Sequence, residues 1–556
     1  MKNSTFRKAF IAFVLVVSAG LFAFEGTPLE TSKRYFDIAR NLDIFATLFR
    51  EVNTYYVDDV NPNDLMKTGI DAMLESLDPY TNYIPEDDIE DYRTMTTGEY
   101  GGIGAVIGRK NGKNVIIMPY EGFPAAKAGL HIADEILKVD GQDVQKKNTS
   151  DISKLLKGQA NTSLTITIRR YPDEKPKEFS LERKKITLKN VPYFGMVKDD
   201  VGYIKLTDFT RGAGKEVKNA LKELKGEGAR KVILDLRGNP GGLLSEAVNV
   251  SNVFIHKGKE VVSTKGKVTE WNKSYKTLNS AVDEHMPMVV LINGRSASAS
   301  EIVSGVMQDY DRGVLVGMKS FGKGLVQTTR PLSYNSQLNV TTAKYYIPSG
   351  RCIQALDYSH KDANGKATKL PDSLKVAYKT KSGRTVYDGA GIDPDVKVEH
   401  EKLASITRSL VGRGYVFDYA TQFHSKHSAI APAKDFQLSD AEYAQFVKWL
   451  QGKDYEYETD TEKLFEKLVG VSKKEINDEK LQQQLLALKE EIVHDKKGDL
   501  QSQKGQILQA LNQEIASRYY LSDGLVEVSF RYDPDIKKAV ELLDDEGEYR
   551  KLLSVQ

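Results

Sequence analysis

The sequence predicts an α/β multi-domain protein: a layered core on a largely parallel sheet, preceded by a small β-rich module and flanked by helical regions. Three patterns carry that expectation. From residue 191 to about 357, short apolar β-branched runs alternate with helix-period segments, the order that builds a parallel sheet covered by helices. From residue 98 to 189, short strands alternate with glycine-marked turns. On either side, residues 30–97 and 401–556 repeat apolar positions every three or four residues with charge between them.

The chain opens with Lys2, Arg7 and Lys8 ahead of an apolar run from Ala9 to Phe24. That is the form of an export signal over residues 1–24, either removed or retained as a membrane anchor; Ser18 and Gly20 dilute the run, which favours removal. The expected location is exported, in the periplasm or cell envelope, with anchoring to the inner membrane as the retained case. Lysine and arginine number 79 against 77 acidic residues, a formal charge of +2, so no basic field calls for a nucleic-acid partner. The single cysteine, Cys352, excludes an internal disulfide and any cysteine-based zinc site. No metal and no organic cofactor is implied.

Within residues 30–97, Phe36, Ala39, Leu42, Phe45, Ala46 and Phe49 recur at helical spacing, as do Leu65, Ile70, Met73, Leu74 and Leu77. Residues 98–189 place strands at 115–118, 136–139 and 164–168 behind Gly101-Gly102-Ile103-Gly104. That glycine segment is no dinucleotide fingerprint, because Gly102-x-Gly104 lacks the third glycine.

The core, residues 191–400, reads as strands at 201–206, 231–236, 288–292 and 314–316, with helices near 216–224, 244–253 and from Ser298 onward. Met288-Val-Val-Leu-Ile292 is apolar throughout, the pattern of a strand buried on both faces. Sites in such sheets form beyond the carboxyl ends of strands, where Asp235–Gly242 and Asn293–Ser298 both fall. A serine at a strand-to-helix turn has its hydroxyl at the helix N-terminus, where free N–H groups and the dipole would stabilise an oxyanion. Ser298-x-x-Glu301 is equally a capping box, and Ser296, Ser298 and Ser300 compete for the role. Gly317-x-x-x-x-Gly322-Lys323 imitates a phosphate-binding loop, but Gly324 replaces the final Ser/Thr and the residues that follow are strand-like. Arg237 reads as a bridge from its loop to the sheet, and residues 359–369 as a polar surface loop.

These motifs together resemble the active-site region of the C-terminal processing peptidases, or tail-specific proteases. The resembling stretches are Ser296-Ala-Ser-Ala-Ser-Glu301, Phe321-Gly-Lys-Gly324 with Gln327, and Asp235-Leu-Arg-Gly-Asn-Pro-Gly-Gly242. The resemblance implies Ser298 as nucleophile, Lys323 as general base and Gln327 as the residue orienting the lysine. It also implies an oxyanion hole from the backbone N–H groups of Gly242 and Ala299. Leu77-Asp-Pro-Tyr80, the strand and turn ending at Gly350, and Gly389-Ala-Gly-Ile-Asp-Pro-Asp395 match the same family pattern. Residues 98–189 resemble a PDZ domain, which binds a peptide C-terminus as an added strand and holds its carboxylate on backbone N–H groups. By that resemblance Gly101, Gly102, Ile103 and Gly104 form the carboxylate loop. One departure is Ala133-Asp134, where the family has Gly-Asp.

The chemistry constrains the lysine independently. Serine needs an adjacent base, and no histidine lies near either motif, so a neutral lysine must serve. Lowering its pKa from ~10.4 to ~7–8 takes roughly 3–5 kcal/mol of destabilisation of the ammonium, and a carboxylate partner would oppose this. Neither Asp309 nor Asp311 is therefore expected to contact Lys323. The resulting expectation is an exported serine endopeptidase that acts on proteins or peptides with exposed C-termini. The alternative is a catalytically silent PDZ-containing scaffold. Residues 401–556 carry amphipathic stripes such as Leu481, Leu485, Leu488 and Ile492, expected to pack as solvated helices or to form an interface for self-association or an adaptor.

Overall fold

A computed structural model describes residues 28–362, 365–476, 478–492 and 496–554. The segment read as an export signal, residues 1–24, lies outside the described residues. No helix among those described is long and apolar enough to cross a membrane.

The chain divides into two compact units, residues 1–83 and 84–556. The first contains the helices Pro28–Tyr55 and Pro62–Glu75. The second helix starts where the sequence dictates: Asn61 is its N-cap, accepting from the Asn63 N–H, and Pro62 occupies a first-turn position where a missing N–H costs nothing.

The second unit is built on a six-stranded sheet. Its edge strand Tyr193–Lys198 runs antiparallel to Val201–Lys205, after which Lys231–Asp235, Met288–Ile292, Val314–Gly317 and Val396–Lys397 follow in parallel register. One face is covered by the helices Ala213–Gly226, Leu244–Phe254 and Ala299–Asp309, whose Val217, Leu221, Val250, Val303 and Val306 are buried against Ile204, Leu234 and Val290. The opposite face, Tyr203, Ile233, Val289, Leu291 and Val316, is covered by the chain's last helices, Pro534–Asp544 and Glu546–Leu553, through Ile536, Ala539, Leu542 and Tyr549. Tyr549 also hydrogen-bonds both the N–H and the carbonyl of Met288. An all-apolar strand needs cover on both sides, and the C-terminal region supplies the second layer. It is part of the core rather than an appendage to it.

The β-rich module forms an antiparallel sheet in the order Ala105–Lys110, Lys113–Pro119, Glu135–Val139, Ser163–Arg170, Asp173–Glu182, with the helix Thr149–Leu156 packed on it. Its stem is a two-stranded ribbon in which Glu99–Gly102 pairs with Lys184–Thr187. The Ala133 departure leaves the fold intact: the alanine takes φ 75, the left-handed conformation that suits glycine. The module's outer face packs on the helical region, where Val115 and Ile132 meet Phe417. The helical region has its own core, around Leu410, Tyr419, Phe446 and Leu511. The polar insertion predicted as a loop includes an antiparallel pair of strands, Leu356–Lys361 with Ala367–Lys369.

Candidate active site

Parallel pairing of Lys231–Asp235 with Met288–Ile292 delivers two loops side by side at the carboxyl end of the sheet. Side chains of the serine-rich turn then stitch them together. Ser296 Oγ donates to the Leu236 carbonyl at 2.9 Å, and Ser300 Oγ to that of Asn239 at 2.9 Å. The Ala297 N–H adds a bond to Asn239 O at 3.1 Å, and Gly238 N–H one to Asn293 Oδ1 at 3.1 Å. Ser296 and Ser300 are thus completely buried and committed to the backbone, whereas Ser298 between them is half-buried.

Ser298 is the N-cap of the Ala299–Asp309 helix, and Glu301 reaches back to accept from its N–H as in a capping box, while the Ser298 hydroxyl makes no capping bond. Capping does not explain its backbone. Ser439 and Thr459, the N-caps of two other capping boxes in this chain, sit in the extended region at φ/ψ of −71/164 and −73/160. Ser298 sits at φ 54, ψ −112. A non-glycine residue held there costs on the order of 1–3 kcal/mol, and such strain persists only where the surroundings over-determine it.

What surrounds it is the glycine loop. A Cβ on Gly241 (φ 102) would lie 2.8 Å from Ser298 Cβ and 2.9 Å from the Ala299 nitrogen, so only glycine allows this approach. Gly242 (φ 146) forms a single parallel bridge with Phe209. That bridge uses the Gly241 carbonyl and the Leu243 N–H, leaving the Gly242 N–H outside it. Ala299 is the first residue of the helix, where backbone N–H groups have no intrahelical acceptor. The two candidate oxyanion donors therefore stand on adjoining loops.

Lys323 is brought to the same place by Glu301. This carboxylate, fully buried, accepts from Ser298 N–H (2.8 Å) and Lys323 N–H (2.9 Å) on Oε2, and from Gly322 N–H (2.7 Å) and Ser320 Oγ (2.5 Å) on Oε1. Burial pushes its pKa up to about 7, against these four donors, which favour the charged form. Gly324 N–H donates to Gln354 Oε1 at 2.7 Å, closing the turn on its other side. Gln327 follows on the strand Leu325–Pro331, where the register against Gln337–Tyr346 slips between Val326 and Gln327, and its Nε2 donates to Thr341 Oγ1 at 3.1 Å. Asp309 pairs with the buried Arg351 at 2.9 Å and Asp311 with Arg384 at 2.7 Å, so both carboxylates are engaged by arginines as charge balance requires.

In the β-rich module, a groove of about 480 Å³ runs between Ala105–Lys110 and Thr149–Leu156, lined by Gly102, Ile103, Gly104, Val106, Ser153 and Leu156. Gly101 serves differently. Its carbonyl accepts from Gly158 N–H at 3.1 Å, and a Cβ there would collide with the Gly158 carbonyl at 2.0 Å. Sequence reasoning gave Glu301 only its capping role. The carboxylate's reach to residues 320–323 depends on where the next strand ends, and no local pattern encodes that.

Comparison with known proteins identifies the families of three segments. Residues 200–359 match Peptidase family S41, residues 115–170 a PDZ domain and residues 406–543 the C-terminal helical domain of PDZ-proteases. The carboxy-terminal-processing protease of Bartonella bacilliformis is 38% identical over 321 residues, covering 57% of this chain and 73% of that protein. A CtpA-like serine protease of Staphylococcus aureus is 38% identical over 317 residues, 56% of this chain and 62% of that one. Among solved structures, a photosystem II D1 C-terminal processing protease aligns with a TM-score of 0.34 at 26% identity, over 67% of this chain and 96% of that chain.

Proposed function

Because this chain belongs to the carboxy-terminal-processing protease family of serine-type peptidases, we propose that it cleaves exported proteins near their C-termini through a Ser298–Lys323 dyad. The observation that carries the proposal is the shared acceptor, Glu301 Oε2, which holds the backbones of both residues together while Gly241 packs against Ser298. A substrate tail adds as a strand to the PDZ groove, its carboxylate on the backbone N–H groups of the Gly102–Gly104 turn. The scissile bond is then presented to the protease loops.

Neutral Lys323 takes the proton of the Ser298 hydroxyl as Oγ attacks the peptide carbonyl, with Gln327 orienting the amine. The negative charge that develops on the carbonyl oxygen is held by the N–H groups of Gly242 and Ala299, fixed before the reaction and so requiring no reorganisation. Collapse breaks the C–N bond, the leaving amine takes the proton from Lys323, and a Ser298 ester remains. Water, deprotonated by the same lysine, hydrolyses that ester.

The test compares the full chain with its Ser298→Ala and Lys323→Ala forms on an unfolded substrate bearing an apolar C-terminal tail, with products identified by mass. Cleavage by the parent and none by either variant, each still folded, is the expected result. Equal and undetectable cleavage by all three would leave a peptide-binding scaffold, and full activity in Lys323→Ala would remove the dyad.

A further inference from the structure

Arg237 opens the loop that ends in Gly241-Gly242, and every nitrogen of its guanidinium is used. Nε and Nη2 donate to Asp235 Oδ1 and Oδ2 at 2.9 and 2.6 Å, tying the loop to the strand it leaves. Nη1 points the other way, to Asp533 (2.9 and 2.8 Å) and Asp535 (2.7 Å). Those two residues lie some three hundred positions later in the chain, at the start of the Pro534–Asp544 helix. Asp533 is the N-cap, its Oδ1 accepting from the N–H groups of Asp535 and Ile536. Asp535 is buried and is also bonded to His400 Nε2 at 3.1 Å.

We infer that Asp533 and Asp535 are positioning residues for the oxyanion loop, so that the C-terminal helical region completes the catalytic centre. The inference rests on the role proposed above for Gly242. Docking of the helix does not require this contact: Ile536, Ala539, Leu542 and Leu543 already bury its face, and Asp544 at its far end binds Lys198 and Lys231 at 2.7 and 2.9 Å. Buried ionic clusters contribute little net stability, because desolvation offsets their attraction. What this one adds is direction. The loop carries glycines at φ 75, 102 and 146 at positions 238, 241 and 242, and between them buried Asn239 accepts from the Gly241 N–H and donates to the Leu206 carbonyl, each at 2.9 Å. The Phe209 bridge anchors its end and the serine-rich turn its middle, while Arg237 fixes the side chain at its start from both the strand and the C-terminal helix. Oxyanion donors must be held within roughly 0.5 Å of their working position, and an arginine clamped from two sides provides the fixed starting point.

The experiment uses the full chain, measuring kcat, KM and thermal midpoint on an unfolded substrate, together with the rate at which a fluorophosphonate labels Ser298. Asp533→Asn/Asp535→Asn keeps an N-cap, since Asn caps as well as Asp, but removes both charges. Its kcat and labelling rate are expected to fall by on the order of 10- to 100-fold with KM within about two-fold, because the donors are displaced rather than deleted. Asp544→Asn, which loosens the same helix without touching Arg237, should keep its kcat whatever its thermal midpoint. Where the double variant does not fold, Asp533→Asn alone carries the same expectation in smaller measure. Parental kcat and labelling in the Asp533/Asp535 variants would overturn the inference. So would losses in them and in Asp544→Asn that simply track thermal midpoint. A parent chain that neither cleaves nor labels would overturn the peptidase reading itself, and this inference with it.

Discussion

The N–H groups of Ser298 and Lys323 donate to one oxygen, Glu301 Oε2, at 2.8 and 2.9 Å, so their nitrogens stand within two hydrogen-bond lengths of each other. An ordinary capping glutamate serves only the first of these donors. Here it also sets the separation of two loops that leave different strands. Glu301→Gln would present an amide NH2 to a ring of donors, leaving at least one of the four contacts unpaired. Misplacing a catalytic group by about 1 Å can cost around 100-fold, and a loss of that order in kcat is expected, with secondary structure by circular dichroism unchanged. Turnover equal to that of the parent would mean that the two loops hold their spacing without the carboxylate.

The same carboxylate predicts a pH dependence in which activity and stability run in opposite directions. Burial raises Glu301 from the usual 4.5 to about 7. The folded state therefore favours the protonated form, and the stability this contributes is complete below pH 4.5 and lost as pH rises through about 7. Protonation, however, turns one acceptor oxygen into a donor and disrupts the staple, so kcat should fall on the acid side of about pH 7 without unfolding. Ser320 donates to Oε1 and favours the charged form, so Ser320→Ala should move that acid limb to higher pH. A limb that stays in place would show that Glu301 does not set it.

Ala133 offers a test that leaves the chemistry untouched. It occupies φ 75, where an L-side chain is strained, at the turn before the strand Glu135–Val139. Ala133→Gly should stabilise the chain by about 0.5–1 kcal/mol, the relief of strain exceeding the entropy that glycine adds to the unfolded state. Denaturant unfolding measures this directly, and a lower midpoint for the glycine form would show that the Ala133 methyl contributes more by packing beside Phe417 than its backbone loses.

Much of this architecture was legible because its signals are local. Apolar runs such as Met288–Ile292, glycines at the ends of Asp235–Gly242 and the serine-rich turn lie next to one another in sequence, and the parallel register then places them together. The local pattern left Ser296, Ser298 and Ser300 open, and only the family resemblance pointed to Ser298, because the commitment of the other two hydroxyls depends on Leu236 and Asn239 of another loop. Nor was the second layer on the sheet. The fully apolar strand demanded cover on both faces, but nothing local says that Ile536 and Ala539 provide it. The reach of Asp533 and Asp535 to Arg237, some three hundred positions earlier, is a tertiary fact of the same kind.

The packing of the PDZ module on the helical region predicts a second, separate response to acid. Val115 and Ile132 meet Phe417 there, Asn111 Nδ2 donates to Asp418 Oδ2 at 2.7 Å, and the rings of His131 and His424 stand edge to face at 6.4 Å. Burial lowers the pKa of both histidines. The Arg170 charge adds to this at His131, against Asp134; at His424 the added causes are His131, Arg518 and Arg170. Arg170 is held by Asp134 at 2.6 Å and Arg518 by Glu514 at 2.8 Å, while Lys110 and Arg518 both lie over the Phe417 ring, so the junction is already rich in cations. Separated imidazoles take up protons near pH 6.5, whereas docked ones resist until lower pH, so docking weakens as pH falls below about 6.5 and levels off once the lowered values are passed. Hydrogen-exchange protection in Lys113–Pro119 and Tyr415–Lys426, corrected for intrinsic rates, should therefore drop between about pH 7 and 5.5. In His131→Gln/His424→Gln that drop should flatten while protection at neutral pH is kept. Protection that stays constant over this range in the parent, or falls equally in the double variant, would show that the two histidines do not govern the junction.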